Sequence, residues 1–158
     1  MKPKFHSIVL FVKDMERSKK FYTEIMGQEI DYDFGNNVAL KSGITLWKMR
    51  TDHVISRSGK HSKTDATKAY EVYFETNNLD IIQEIIAKNH LEILHDVMEE
   101  PWGQRTIRFY DPDKNLIEVG ETLEKFVGRM AGLGMSLEEI SAKTTIPLVI
   151  VKKLLKVS

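Results

Sequence analysis

A chain of 158 residues with 42% hydrophobic content is long enough to bury one core without a staple, and no membrane-sized apolar segment interrupts it. Its 23 Lys and Arg balance its 23 Asp and Glu, so no global charge draws it to nucleic acid or to a membrane surface. The absence of cysteine excludes disulfides, thiolate nucleophiles and cysteine-ligated zinc or iron–sulfur centres.

The basic start Met1-Lys2-Pro3-Lys4 leads into an apolar run too short for a secretory signal, so a cytoplasmic protein is expected. Ile8 to Val12 reads as a strand. Asp14 then caps a helix whose buried stripe includes Phe21, Tyr22 and Ile25, and Gly27 ends it. Three short strands follow, around Glu29 to Phe34, Asn37 to Lys41 and Ile44 to Arg50, with Lys41-Ser42-Gly43 as a turn. The polar segment 52–67 shows neither helical nor strand periodicity and reads as a linker or flap.

The same grammar then returns. His6-Ser7-Ile8-Val9-Leu10-Phe11-Val12 with Lys13-Asp14-Met15 is matched by Tyr70-Glu71-Val72-Tyr73-Phe74-Glu75-Thr76 with Asn77-Asn78-Leu79. In the second copy Val72 to Thr76 is the strand, and Asn77 or Asn78 caps a helix with Leu79, Ile82, Ile85 and Ile86 as its stripe. Strands around Glu92 to Met98, Gln104 to Tyr110 and Leu116 to Glu121 complete it, the last two joined by the turn Asp111-Pro112-Asp113-Lys114-Asn115. A half-size unit that occurs twice places a ligand site in the cleft between its copies as an expectation.

Beyond Glu121 the periodicity becomes helical. Leu123, Phe126, Val127, Met130 and Leu133 recur at helical spacing, Ser136 and Glu139 form a capping-box signal, and Pro147 opens a third helix. This tail carries six basic and three acidic residues, a net charge near +3. It is too small to hold a core alone and is expected to dock on the rest of the protein or on another subunit.

The stretch Asp14-Met15-Glu16-Arg17-Ser18-Lys19-Lys20-Phe21-Tyr22-Thr23-Glu24-Ile25-Met26-Gly27, with Asp111-Pro112-Asp113-Lys114-Asn115-Leu116-Ile117-Glu118-Val119, resembles the glyoxalase, bleomycin-resistance and extradiol-dioxygenase superfamily, the vicinal oxygen chelate proteins. The resemblance implies an α+β fold in which two βαβββ modules form a half-open barrel, here with a C-terminal helical extension. The expected division is a glyoxalase-like domain over 1–121, with modules at about 5–51 and 68–121 around the linker, and the extension over 122–158.

The resemblance also implies a divalent metal held by one ligand on the first and last strand of each module. In the first module the usual histidine position is Ser7, with His6 one place off and on the opposite face. The other position falls near Trp47, with Met49 on the same face, and neither suits a hard divalent ion. In the second module the positions carry Glu71 and Glu118, the two candidates for metal ligation and for catalysis as general bases. The cofactor expectation is therefore none, or a weakly bound divalent ion. Glu118 has a bland alternative, a carboxylate held by Arg105 or Arg108.

These residues favour a binding protein for a small organic molecule. Ser7, Phe11, Trp47, Met49, Tyr73 and Trp102 would line an aromatic cleft, with Glu71, Glu118 and Arg105 fixing a polar group. Such a lining suits a planar or cationic ligand. A glyoxalase-like lyase or isomerase acting on a thiol adduct or α-oxo compound is the second reading. A third, a ligand-responsive DNA-binding regulator, rests on the helix-turn-helix-like run from Ser136 to Leu155, although Pro147-Leu148-Val149-Ile150 stands where base-reading side chains would be needed. A homodimer is expected; membrane and nucleic-acid partners are not.

Overall fold

A computed structural model describes residues 5–48, 51 and 70–156. Two contact units divide them, the first holding residues up to Tyr70 together with Asp111–Asn115, the second Glu71–Tyr110 with everything from Leu116 onward. Met49 and the segment 52–67 expected as a linker lie outside the described residues.

In the first unit, strand β1 (Ile8–Phe11) leads into helix α1 (Met15–Lys20), followed by β2 (Ile30–Asp33), β3 (Asn37–Leu40) and β4 (Ile44–Trp47). Asp14 caps α1 as expected, its carboxylate accepting from the Arg17 N–H, which satisfies one of the helix's orphan donors. The helix runs on as a π-helical turn over Phe21–Ile25 and stops where Gly27 adopts a positive φ of 64°. Phe21 and Tyr22 are thereby buried, along with Leu10, Val38, Leu40, Ile44 and Leu46 of the sheet.

The sheet order is β1-β4-β3-β2, with β1 parallel to β4 and the others antiparallel. Alternation along β1 and β4 pairs Leu10 with Leu46 on the buried face, leaving Ser7, Val9, Phe11, Thr45 and Trp47 to the other.

The turn Asp111–Asn115 belongs to this unit through buried polar contacts. Asp111 accepts from the Tyr22 hydroxyl (2.9 Å), from the Asp113 and Asn115 backbone N–H groups (2.8 Å each) and from the Asn115 side chain (2.7 Å). Asp113 accepts from the Ser18 hydroxyl (2.8 Å) and the Lys13 N–H (3.0 Å). Burial, with the Asp111 charge second, pushes the Tyr22 phenol far above its ordinary value, so it stays a donor at every relevant pH.

The second unit repeats the order with β5 (Val72–Thr76), α2 (Leu79–Lys88), β6 (Ile93–Glu99), β7 (Arg105–Tyr110) and β8 (Leu116–Glu121). Its sheet order, β5-β8-β7-β6, is the first sheet's order transposed, again with one parallel pair. Neither sheet is closed into a barrel. Asn78 is the cap of α2, and the helix packs on β8 and β6. Ile107 pairs with Val119 and Phe109 with Ile117, a buried apolar block that makes β7 and β8 the centre of the unit.

Three helices complete this unit: α3 (Leu123–Gly132), α4 (Leu137–Thr144) and α5 (Leu148–Leu155). The expected capping box is present, Ser136 and Glu139 satisfying each other's backbone donors at the start of α4. The helices close around Phe126, Val127, Met130, Ile140 and Val151. No helix among the described residues is long and apolar enough to cross a membrane.

The Asp111 contacts predict an unequal pair of substitutions. Asp111→Ala strands three donors besides the Asn115 side chain and is expected to cost about 3 kcal/mol or more, whereas Tyr22→Phe forfeits one bond and costs about 1 kcal/mol. Urea unfolding of the two variants measures the difference, and equal costs would contradict this account.

Candidate functional site

Strand register in the second unit brings a polar row onto one face. Tyr73 on β5 lies opposite Glu118 on β8, Glu118 opposite Arg108 on β7, and Arg108 opposite His95 on β6. Glu71, two residues before Tyr73, shares its face by strand alternation. Chemistry-bearing side chains from all four strands therefore meet in a single band across the sheet.

Arg108 is the hub. Its Nε donates to Glu71 (2.9 Å), its Nη1 to Glu100 (2.8 Å), and its Nη2 is ion-paired with Glu118. His95 completes the shell. Its Nδ1 lies 2.7 Å from the Asp96 carbonyl, which can only accept, so Nδ1 carries the proton and Nε2 is left to accept from Arg108 Nη1 at 3.2 Å. With five N–H donors in a rigid fork, arginine is the side chain that can serve this many acceptors at once. Burial works against its charge, but the carboxylates outweigh that and hold the guanidinium above its ordinary value.

One cation among three carboxylates leaves an excess of negative charge, which falls on the most buried member. Glu118 has a side chain only 6% exposed. Burial first, then hydrogen bonding to Glu71, pushes it up to about 7, with Arg108 opposing. Glu71 moves the other way: its own partial burial is outweighed by bonds from Arg108 and from the Glu118 carboxyl, and it sits below the usual range.

Around this band stands a ring of aromatic and amide groups. Gln104 donates to the Tyr73 hydroxyl (2.8 Å) and to the Glu121 carbonyl (2.7 Å), the Trp102 indole N–H donates to the Gln104 carbonyl oxygen (3.1 Å), and the Tyr73 hydroxyl donates to Glu75 (3.1 Å). Gly120 makes room for this arrangement, since a Cβ there would lie 2.8 Å from Gln104 Nε2 and 3.0 Å from the Tyr73 hydroxyl. Tyr73 and Trp102 nonetheless stay 45% and 40% exposed, so their faces are available to a ligand.

Of the residues expected from sequence, Glu71, Glu118, Tyr73 and Trp102 come together here. Arg105 does not. It offers only its backbone N–H, to Glu121 at 3.0 Å, and its side chain is exposed; three residues on, Arg108 holds Glu118. In the first unit, Ser7 accepts from the Thr45 hydroxyl (3.0 Å), and the Phe11 and Trp47 rings meet at 5.7 Å. Met49 lies outside the described residues.

Several residues went unrecognised. His95 and Glu100 complete the Arg108 shell, and in the first unit the stacked rings of Tyr32 and Phe34, 6.0 Å apart and 4° from parallel, stand 59% and 74% exposed. Both strands concerned carry register shifts, at Ile30/Tyr32 on β2 and on either side of His95 on β6. A period-of-two count along the sequence misassigns the face of every residue beyond a bulge. A surface cavity of about 410 Å³ beside α2, with Ile86, Leu91, Ile93 and Ile107 in its wall, contains none of the Arg108 cluster and is mostly apolar.

The donors do not fit the divalent ion that the resemblance implies. Ser7 and Trp47 offer a hydroxyl already bonded to Thr45 and an indole, and the two remaining carboxylates are both engaged by Arg108. Among the described residues no group of three His, Asp or Glu side chains is arranged to hold a metal.

The fold has close parallels among solved structures. A protein of unknown function from Agrobacterium tumefaciens str. C58 is 35% identical, aligned over 78% of this chain and 97% of its own, with a TM-score of 0.64. The fosfomycin resistance protein FosX from Listeria monocytogenes (22% identity, 79% and 98% coverage, TM-score 0.57) and a lactoylglutathione lyase from Agrobacterium tumefaciens (19%, 77% and 96%, 0.52) share the fold at identities too low to carry function. No curated protein matches the sequence. Residues 5–124 match the family model of the glyoxalase-like domain, and the chain belongs to that family.

Proposed function

We propose that this chain binds a small organic molecule, planar and positively charged, at a polar centre built on a guanidinium. The observation that supports this reading is the engagement of both Glu71 and Glu118 by Arg108. Carboxylates committed to a fixed cation are poor ligands for a second one of higher charge, so the centre serves recognition through hydrogen bonds. Its acids, Glu71, Glu100, Glu118 and the neighbouring Glu75, outnumber its one arginine, which favours a cationic guest. The exposed faces of Tyr73 and Trp102 supply cation–π and stacking surface worth about 0.5 to 2 kcal/mol each.

A second reading is favoured by the Glu118 value of about 7. A carboxyl poised near neutrality is suited to take a proton from carbon next to a carbonyl, and Arg108 beside it would stabilise the oxyanion that forms. This gives a metal-free lyase or isomerase chemistry on an α-oxo compound.

Proflavine, a planar fluorescent cation, and 1-anilinonaphthalene-8-sulfonate, an anion of similar size, separate the charge preferences. Proflavine is expected to bind and to weaken about tenfold in Glu71→Gln, with the anion binding less than either. Preference for the anion, or stoichiometric uptake of nickel or zinc by chelator-free protein, would overturn the proposal.

The Glu118 shift makes a separate prediction about stability. Its folded value lies above the unfolded one of about 4.3, so between those values the folded protein keeps a proton that the unfolded chain has released. Stability from this group is present below about pH 4.3 and is lost as pH rises towards 7. Urea midpoints across pH 4.5 to 8 should show that decline in the wild type and a shallower one in Glu118→Gln; parallel profiles would contradict the assignment.

A further inference from the structure

We infer that Arg129, on α3 of the C-terminal extension, is a positioning residue that fixes the β6–β7 turn, and with it Glu100, Trp102 and Gln104, against the Arg108 centre. The inference rests on the reading of that centre as a binding site. The turn is short: the Gly103 N–H donates to the Glu100 carbonyl (2.7 Å), and the Glu100 N–H to the Gln104 carbonyl (2.8 Å). Each of its functional side chains points to a different partner, Glu100 to Arg108, Gln104 to Tyr73, and Trp102 to Gln104.

Arg129 grips this turn together with β6 and β8. Its Nη2 donates to the Gly103 carbonyl (2.6 Å) and to Glu121 on β8 (2.9 Å), its Nε also reaches Glu121 (3.2 Å), and its Nη1 reaches Glu99 on β6 (3.1 Å). Glu121 is itself buried and accepts from the Arg105 N–H, where β7 begins. One guanidinium therefore ties β6, the turn and β8 to a single point on α3.

Packing reinforces the grip from the neighbouring residue. Gly103 has a φ of 94°, and a Cβ there would lie 1.8 Å from Met130 Cε and 3.2 Å from Lys143 Cε. Met130 belongs to the buried cluster of all three terminal helices, and Lys143 on α4 donates to the same Glu99 (3.1 Å). A shift of the helices would thus be transmitted to the turn, and from it to the bonds with Arg108 and Tyr73. The extension acts as a brace for the site.

The test needs no natural ligand. The chain has two tryptophans, so Trp47→Phe leaves Trp102 as the sole reporter. In that background, Arg129→Met is expected to move the Trp102 indole ¹H–¹⁵N resonance, to raise acrylamide quenching about twofold, and to weaken proflavine binding about tenfold, the worth of one hydrogen bond. Arg129→Lys should restore the indole signal in part. Should Arg129→Met not fold, Glu99→Gln, which keeps the bonds to Glu121 and Gly103, is expected to move the same resonance less and in the same direction. An indole resonance and quenching unchanged in folded Arg129→Met, or in Glu99→Gln where that variant alone folds, would reduce Arg129 to a stabiliser of α3 and overturn the inference. Failure of proflavine to bind the parent protein would instead overturn the proposed function and leave the indole readout standing.

Discussion

The second unit is organised around one constraint: a single guanidinium must serve three carboxylates and an imidazole on a largely buried sheet face. Arg108 satisfies Glu71, Glu100 and His95 with separate N–H donors and pairs Glu118 with the remaining nitrogen. The positive charge is still one against three. Since an isolated buried carboxylate is far more costly than a neutral one, the shortage pushes the Glu118 carboxyl up to about 7 while Glu71 stays below the usual range. The acid–base character of the site is thus a consequence of the burial of Glu118 first and of the charge imbalance second. Loss of Arg108 would leave three half-buried acids facing each other, a change of a kind that destabilises by about 3 to 5 kcal/mol.

The two units use one topology for different ends. Both sheets run first strand, fourth, third, second, and both put an apolar face under the helix that follows the first strand. The opposite faces diverge. Where the second sheet presents Glu118, Arg108 and Thr106, the first presents Thr45, Ala39 and Trp47, with Phe11 against the tryptophan. Topology is maintained by the buried alternation, which tolerates no polar substitution. The other face is released from that requirement and carries whatever chemistry the chain has acquired.

This separation explains which features were legible in the sequence. The repeat, the caps at Asp14 and Asn78 and the Ser136–Glu139 capping box depend on neighbours within a few residues, and all are present in the structure. Glu118, Tyr73 and, just before β5, Glu71 are legible because they lie on or next to β5 and β8, whose register has no bulge. His95 sits between two register shifts on β6, and its partner Arg108 is set by pairing with β7. Neither relation has a local signature. In the sequence Asp111 is an ordinary turn residue, whereas in the structure its side chain is the acceptor of a buried tyrosine 89 positions earlier.

On the proposed reading, the guanidinium also changes what kind of guest the fold selects. A metal recognises a substrate by accepting lone pairs into open coordination positions, and so prefers oxygens and anions. Here the cation is already enclosed by Glu71, Glu100 and Glu118, so the charge met by an arriving molecule is that of the surrounding carboxylates. A ligand that donates hydrogen bonds gains from them, and one that carries a carboxylate or phosphate must first displace an acid from Arg108. On the proposed reading, an arginine at the centre of the acidic band reverses the polarity of recognition expected of a metal site while leaving the scaffold unchanged. It also makes the geometry of the β6–β7 turn important, because Glu100 reaches Arg108 only if that turn is held in place.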